Sequence, residues 1–482
     1  MLTYDMNQRK SLSLYEYLYR CIKRDIEDGT ILADEKLPSK RTLAKHLGVS
    51  LITVEGAYAQ LEAEGYLYSR ERRGYYAMPL PVSPAPQGTQ QAPGNARRYD
   101  PIPDQPPAQD KGIIDFAHPR ATADPQVQRL WAKALRSTLS DESDTQHLQP
   151  LPIEGSPRLR NAIANHLHQF RGMEVDPRCI VIGAGAQTLY NFIVQLLGCG
   201  CGYAMEEPGY SKLFDIYTAC GAHACPITMD DQGISLPLLR NSGAQVVHIM
   251  PSHQFPTGKV TSIARRYELL AWAAQAENRY IIEDDFDCEF RLAGRPIPAL
   301  QSIDTLGKVI YTNTFTKSLS PDMRVAYMIL PQALMERFEQ KLGFYSSTVS
   351  ALIQNALAGI IESGDYERHI NRVRNRHRIL KDALIAQLEA SEYGAWFHTQ
   401  QADAGLHFVL RMNIPAAEAQ VVTAAQAHGL RLAPLSAYYH DPEAAQSASG
   451  RYPQFVMHYS MLDEAHIPQA VERLNQTVAD CL

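Results

Sequence analysis

Residues 311–324 read YTNTFTKSLSPDMR. The apolar run Val309–Asn313 ends here in hydroxyl-bearing residues, Lys317 follows at once, and Arg324 comes seven residues after it. A lone lysine is most often a surface residue, so the spacing carries the reading. It joins a nucleophilic amine to a hydroxyl donor, Thr314, and to a guanidinium fork, Arg324, which together suit a phosphate. Upstream, IIEDDF at 281–286 reads as a buried strand ending in acids, of which Asp284 stands at the strand end. Such acids are otherwise often helix caps. Further upstream, VIGAGAQTLY at 181–190 runs strand, glycine turn, helix start. The free N–H groups of Gly185, Ala186 and Gln187 favour an anion there. Tyr190 is either a ring-stacking side chain or a core residue at helical spacing.

One cofactor asks for this combination. Pyridoxal phosphate needs a lysine for a Schiff base, a carboxylate for its pyridinium nitrogen, a phosphate site and a wall against its ring. Lys317 supplies the first, Asp284 the second, and Thr314, Arg324 and the Gly185 turn the third.

Around these segments, apolar strand-like runs alternate with amphipathic helices, as in α/β folds. Candidate strands include 179–183, 246–250, 280–283, 309–313 and 325–330; candidate helices include 158–170, 187–197 and 264–276. The runs 406–411 and 455–459 suggest a smaller C-terminal α+β subdomain.

Before this unit the chain changes character. From about Met78 to Lys111 it is rich in Pro, Gln, Gly and Ala and nearly free of large aliphatics, which predicts an extended linker. The expected division is therefore 1–79, a DNA-binding head; 80–112, a linker; and 113–482, the larger unit. In the head, Leu14, Tyr17, Leu18, Cys21, Ile22 and Ile26 recur at helical spacing up to Gly29. Ser39 is able to cap a second helix that ends at Gly48, and Ser50 a third, with Val54, Ala57, Tyr58 and Leu61 on one side. The runs 65–68 and 74–76 flank a charged turn, as a two-stranded wing would. A helix-turn-helix places its second helix in the major groove. Candidate DNA contacts are Ser39, Lys40 and Arg41, then Ser50, Thr53, Glu55 and Tyr58, then Arg70, Arg72 and Arg73 in the wing.

The 482 residues exceed what one core usually serves, and the hydrophobic share of 45% is ordinary for globular protein. No apolar run approaches a membrane span and no signal-peptide core opens the chain, so a cytoplasmic protein is expected. The net charge of −6 excludes a chain coated in basic residues, though not a local basic face. Eight cysteines lie scattered. Cys199 and Cys201 come closest to a motif but lack paired C-x-x-C spacing, so no metal is expected.

LPSKRTLAKHLGVSLITVEGAYAQLEAEGYLYSRERRGYY, at 37–76, resembles the GntR-type winged helix. GSPRLRNAIANHL, GAGAQTLYNF, EEPGYSK, PSHQFPTG, EDDFDCEF and TFTKSLSPDMR resemble, in order, the fold-type-I aminotransferases. With the later SGDYERHINRVRNRHRILKDAL, the whole resembles the MocR/GabR regulators. The resemblance implies a mainly parallel sheet with helices on both faces and a homodimer with interfacial sites. It implies pyridoxal phosphate on Lys317, and an amine, an amino acid or the cofactor itself as signal. It sets Tyr210 and Lys212 on the substrate side and His253 and Gln254 beside the ring. Residual aminotransferase chemistry, or a working aminotransferase with an accessory head, is the other outcome. Four positions depart from the family. Leu51 and Glu55 stand where relatives carry Arg. Phe286 replaces a Tyr whose hydroxyl bonds the cofactor's phenolic oxygen, which predicts a raised imine pKa. Val456 stands where an Arg would fork a substrate carboxylate; Arg431 and Arg451 are its neighbours in sequence.

Overall fold

A computed structural model describes residues 2–9, 11–80, 112–118, 125–140, 150–292, 297–402, 405–448, 452–460 and 462–482. The expected linker lies largely outside them. The chain divides into two compact units, Met1–Pro106 and Pro107–Leu482.

In the first unit, α1 (Leu14–Glu27), α2 (Lys40–Leu47) and α3 (Leu51–Ala63) precede the hairpin β1 (Leu67–Arg70) and β2 (Gly74–Ala77). The caps decide the turn between α2 and α3. Ser39 Oγ accepts the Thr42 amide at 3.2 Å, Ser50 Oγ accepts that of Thr53 at 3.1 Å, and Gly48 closes α2 with φ +65°. Leu18, Ile22, Leu43, Val54, Tyr58 and Leu61 form one core.

The second unit opens with β3 (Ile114–Asp115). Eight strands then build one sheet: β4 (Ile180–Gly183), β5 (Gly202–Glu207), β6 (His223–Asp230), β7 (Gly233–Ile234), β8 (Val246–Ile249), β9 (Tyr280–Asp284), β10 (Val309–Thr314) and β11 (Ala326–Ile329). Their order is β4-β11-β10-β9-β8-β5-β6-β7, with β11 and β7 antiparallel to their neighbours. Successive side chains leave a strand on opposite faces. Ile281 and Val309 accordingly pack with Leu269 and Trp272, whereas Ile282 and Ile310 join a core with Leu189 and Phe338. Apolar cores thus lie on both faces, which is why these strands read as continuous apolar runs.

A smaller sheet follows, made of β12 (Phe397–Gln400), β13 (His407–Met412), β15 (Ala433–Pro434) and β16 (Gln454–His458), while β14 (Leu430–Arg431) pairs with β3. The 25-residue helix Asp365–Glu389 serves both halves of the unit. Its Tyr366 and Ile370 belong to the large core, its Leu380, Leu384 and Leu388 to the small one.

Candidate functional site

The sheet register gathers the predicted residues at one edge. Thr312 of β10 lies opposite Asp284, and Thr314 and Gly183 both lie opposite Ala326. The carboxyl ends of β4, β9 and β10 therefore meet where ligands enter open α/β sheets.

Asp284 is buried and held from two sides. Tyr190 Oη donates a short hydrogen bond to Oδ2, and His248 Nε2 lies 3.4 Å from the same oxygen. Tyr217 Oη in turn contacts His248 Nδ1 at 2.6 Å, which sets the imidazole's direction. Both of these contacts on Asp284 fall on Oδ2 and neither on Oδ1. Tyr190 is thus a partner of Asp284, edge-on to His248 at 5.1 Å, and not a stacking wall. Nearby Glu206 accepts the Met250 amide at 2.9 Å, and burial pushes its carboxyl up to about 8, so it adds no charge at neutral pH.

Gly185 precedes helix Ala186–Leu197 with φ +86°, and the Arg324 guanidinium packs against it so closely that an added Cβ would meet Nη2 at 2.5 Å. The helix start leaves the Ala186 and Gln187 amides without intrahelical partners, beside that guanidinium. The turn, the amides and the cation together have the chemistry of a phosphate cradle. Thr314 caps the short helix Phe315–Ser318; its Oγ1 bonds Thr316 Oγ1 at 2.8 Å. Tyr210 is half-buried, and burial first, then the Asp284 carboxylate, raises its pKa, with Arg324 opposing. Lys212 is exposed on helix Ser211–Ala219.

Lys317 presents an exposed side chain, yet enough protein surrounds it that desolvation pulls its pKa below normal, with Asp287 opposing. Its neighbour Ser318 is anchored: Tyr366 Oη donates to Ser318 Oγ at 3.0 Å, and His369 Nε2 to the Ser318 carbonyl at 2.8 Å. His253 contacts Asp287 at 2.8 Å, and its ring lies 6.5 Å from that of Phe286. The Gln254 amide is taken up by its own loop and by the neighbouring segment at Pro208. Nε2 donates to the Pro208 and Phe255 carbonyls, and Oε1 accepts from Thr257. Lysine, ring-nitrogen carboxylate and phosphate cradle all fit pyridoxal phosphate. Sequence reasoning missed His248, Tyr217, Asp287, His407 and His458.

Val456 is buried against Val409 and Leu435, and Arg431 pairs with Asp115 at 3.0 Å. Arg451 lies outside the described residues. Cys199 is exposed and Cys201 half-buried; among the described residues no group of His, Cys, Asp and Glu could hold a metal, and no helix is long and apolar enough to cross a membrane.

In the head, Ser39, Arg41, Ser50, Glu55, Arg70, Arg72 and Arg73 are exposed, and Thr53 is half-buried. Lys40 of α2 sits over the Tyr75 ring at 5.0 Å, which ties helix and wing together, while Arg70 over Tyr76 at 4.8 Å joins the two strands of the wing. Tyr58 must be removed from the DNA-contacting set. Its ring is wholly buried and its hydroxyl donates to the Pro38 carbonyl at 2.9 Å, so it fastens α3 to the segment that opens α2.

Residues 14–76 match the family "Bacterial regulatory proteins, gntR family", and residues 119–446 match "Aminotransferase class I and II". The chain is 34% identical, over 97% of both chains, to the uncharacterized HTH-type transcriptional regulator YdeL of Bacillus subtilis. It is 30% identical to the probable rhizopine catabolism regulatory protein MocR of Rhizobium meliloti, over 91% of this chain and 90% of that one. The chain belongs to the MocR/GabR subfamily of GntR transcription regulators. Kynurenine aminotransferase of Pyrococcus horikoshii superposes on this MocR/GabR-type chain with a TM-score of 0.65 at 22% identity, covering 77% of this chain and 92% of that one. That likeness bears on the fold alone.

Proposed function

We propose that this MocR/GabR-type regulator holds pyridoxal phosphate on Lys317 and couples binding of the cofactor, or of an amine that exchanges with Lys317, to its grip on double-stranded operator DNA. The observation that carries the reading is the convergence of three elements at one sheet edge. They are Lys317, an Asp284 carboxylate oriented by Tyr190 and His248, and Arg324 against the Gly185 turn. Pyridoxal phosphate bound there supplies an electron-withdrawing ring and a carbon that can change amine partners. Asp284 Oδ1 would pair with the ring nitrogen, and Arg324, Thr314 and the Ala186 and Gln187 amides would hold the phosphate. Tyr210 and His253 would flank the ring, and Phe286 offers the phenolic oxygen no hydroxyl. Residues 1–79 would read DNA, 80–112 would link, and 113–482 would sense and dimerise in the cytoplasm. A homodimer would present two reading helices to two half-sites. Differential affinity of the signal for two states of the larger unit is what such coupling requires.

The test is DNA footprinting on the chain's own upstream region with and without pyridoxal phosphate, for wild type and Lys317→Ala. A cofactor-dependent footprint that Lys317→Ala abolishes is expected. Identical footprints under all conditions overturn the reading, and steady amino-donor turnover at ordinary enzyme rates would put an aminotransferase in its place.

A further inference from the structure

The β13–β16 pair turns one face away from the small core. His407 and His458 stand directly opposite each other, and Val409 and Val456 form the next pair on the same face. Both imidazoles are buried, at 3% exposure, with ring centroids 5.5 Å apart. The Phe255 ring lies over His458 at 6.1 Å and edge-on to His407 at 5.1 Å. The His253 ring lies 5.1 Å from that of His407 and 6.5 Å from that of Phe286, so this patch adjoins the segment that follows Asp284, and Lys317 acts electrostatically on both imidazoles. From the β3 side, Asp115 and His118 also act on His458.

His407 Nε2 contacts the Pro256 carbonyl at 3.1 Å, but neither ring nitrogen of His458 has a partner among the described residues. Leaving buried polar groups unpaired costs about 1–3 kcal/mol each, so such a group at a ligand site is matched to a ligand atom. Burial pushes His458 down to about 4 and His407 well below the usual imidazole range, with Lys317 adding to both. The patch is therefore neutral near pH 7. A neutral imidazole donates one hydrogen bond and accepts one, which matches a hydroxyl; it lacks the fixed charge and fork that hold a carboxylate. Val456, between Val409 and Leu435, adds only apolar surface.

We propose that His458, with His407 and Phe255, forms the effector-recognising wall of the Lys317 site and selects a primary amine bearing a hydroxyl over the corresponding α-amino acid. The inference rests on Lys317 being the lysine that carries the cofactor. On exchange, the amine nitrogen bonds to the carbon that Lys317 Nζ leaves, and the two protons it loses end on Lys317, so no oxidant or reductant takes part.

L-Alaninol and L-alanine differ at the group in question, a hydroxymethyl against a carboxylate. Each is titrated into the full-length protein loaded with pyridoxal phosphate, and the change in cofactor absorbance gives Kd. L-Alaninol is expected to bind at least about tenfold tighter, the factor that one buried hydrogen bond supplies. His458→Ala should remove that advantage, His458→Gln should keep most of it, and Val456→Arg should strengthen L-alanine. Equal or tighter binding of L-alanine, no response to either compound, or full L-alaninol affinity in a folded His458→Ala variant overturns the proposal. If His458→Ala does not fold, wild-type selectivity and Val456→Arg decide. Borohydride reduction followed by peptide mass mapping separates the two readings. Cofactor found elsewhere than on Lys317 sinks the proposed function, whereas cofactor on Lys317 without the selectivity sinks this inference alone.

Discussion

Substituting Gly185 by alanine should separate backbone strain from loss of the phosphate cradle. The residue has φ +86° and ψ 164°, a region essentially confined to glycine that costs another residue about 1–3 kcal/mol. The added methyl carbon would lie 2.5 Å from Arg324 Nη2 and 2.8 Å from its Cζ, so the guanidinium has to swing away. A hydrogen bond to a charged group contributes about 1.5–3 kcal/mol, so its loss weakens pyridoxal phosphate binding by roughly 10- to 100-fold. Gly198→Ala is the control. It carries the same class of strain at φ +113° but meets nothing within 4 Å. Both variants should melt earlier than wild type, and only Gly185→Ala should lose cofactor affinity, followed by absorbance titration. Wild-type affinity in Gly185→Ala would refute the assignment of Arg324 to the phosphate.

Phe286→Tyr should lower the imine pKa by giving the phenolic oxygen a donor, and a spectrophotometric titration unchanged from wild type would count against this. Ser50→Ala removes the oxygen that accepts the Thr53 amide and should destabilise the head by about 1 kcal/mol, read as an earlier melt with weaker DNA binding. Replacing Arg72 or Arg73 by alanine should reduce the slope of log affinity against log salt by about one each if both meet phosphates. Acid should destabilise the larger unit between pH 6.5 and 4. Burial holds His166, His377 and His458 near 4, so over that window the unfolded chain takes up protons that the folded chain refuses. Stability is then full above the unfolded imidazole pKa and falls as pH drops, by on the order of 3 kcal/mol per histidine. A melting temperature flat from pH 7 to 4.5 would contradict it.

Much of this architecture was legible because it is local. Caps at Ser39 and Ser50, the stop at Gly48 and the hairpin around the wing turn each depend on neighbours a few residues away, and the head elements follow them closely. The strands β4, β8, β9, β10 and β11 announce themselves as apolar runs buried on both faces. Strand β5 does not, since Glu206 and Glu207 close it with carboxyl side chains that only the fold shows to be buried. Lys317, Asp284 and Arg324 stood out as candidates by their residue types and spacing, and the sheet register brings their segments to one edge. Their supports did not stand out, because these come from elsewhere in the chain: His248 reaches Asp284 across 36 residues, and Tyr366 reaches Ser318 across 48. Tyr58, Tyr190 and Gln254 show the converse. Each has a side chain suited to a ligand, and the fold engages each in an internal bond. His458 was hidden by its setting, one imidazole inside the apolar strand FVMHY, with no spacing to mark it.

Helix Asp365–Glu389 couples the two halves of the larger unit as a stiff rod. At a rise of about 1.5 Å per residue it is nearly 40 Å long. One end grips the backbone beside Lys317 through Tyr366 and His369, and the other is cemented into the core beneath β13 and β16. The residue next to Lys317 and the strands that carry His407 and His458 are therefore fixed to one continuous element, so a change of packing beneath β13 and β16 is felt at Ser318 without passing through the sheet between them.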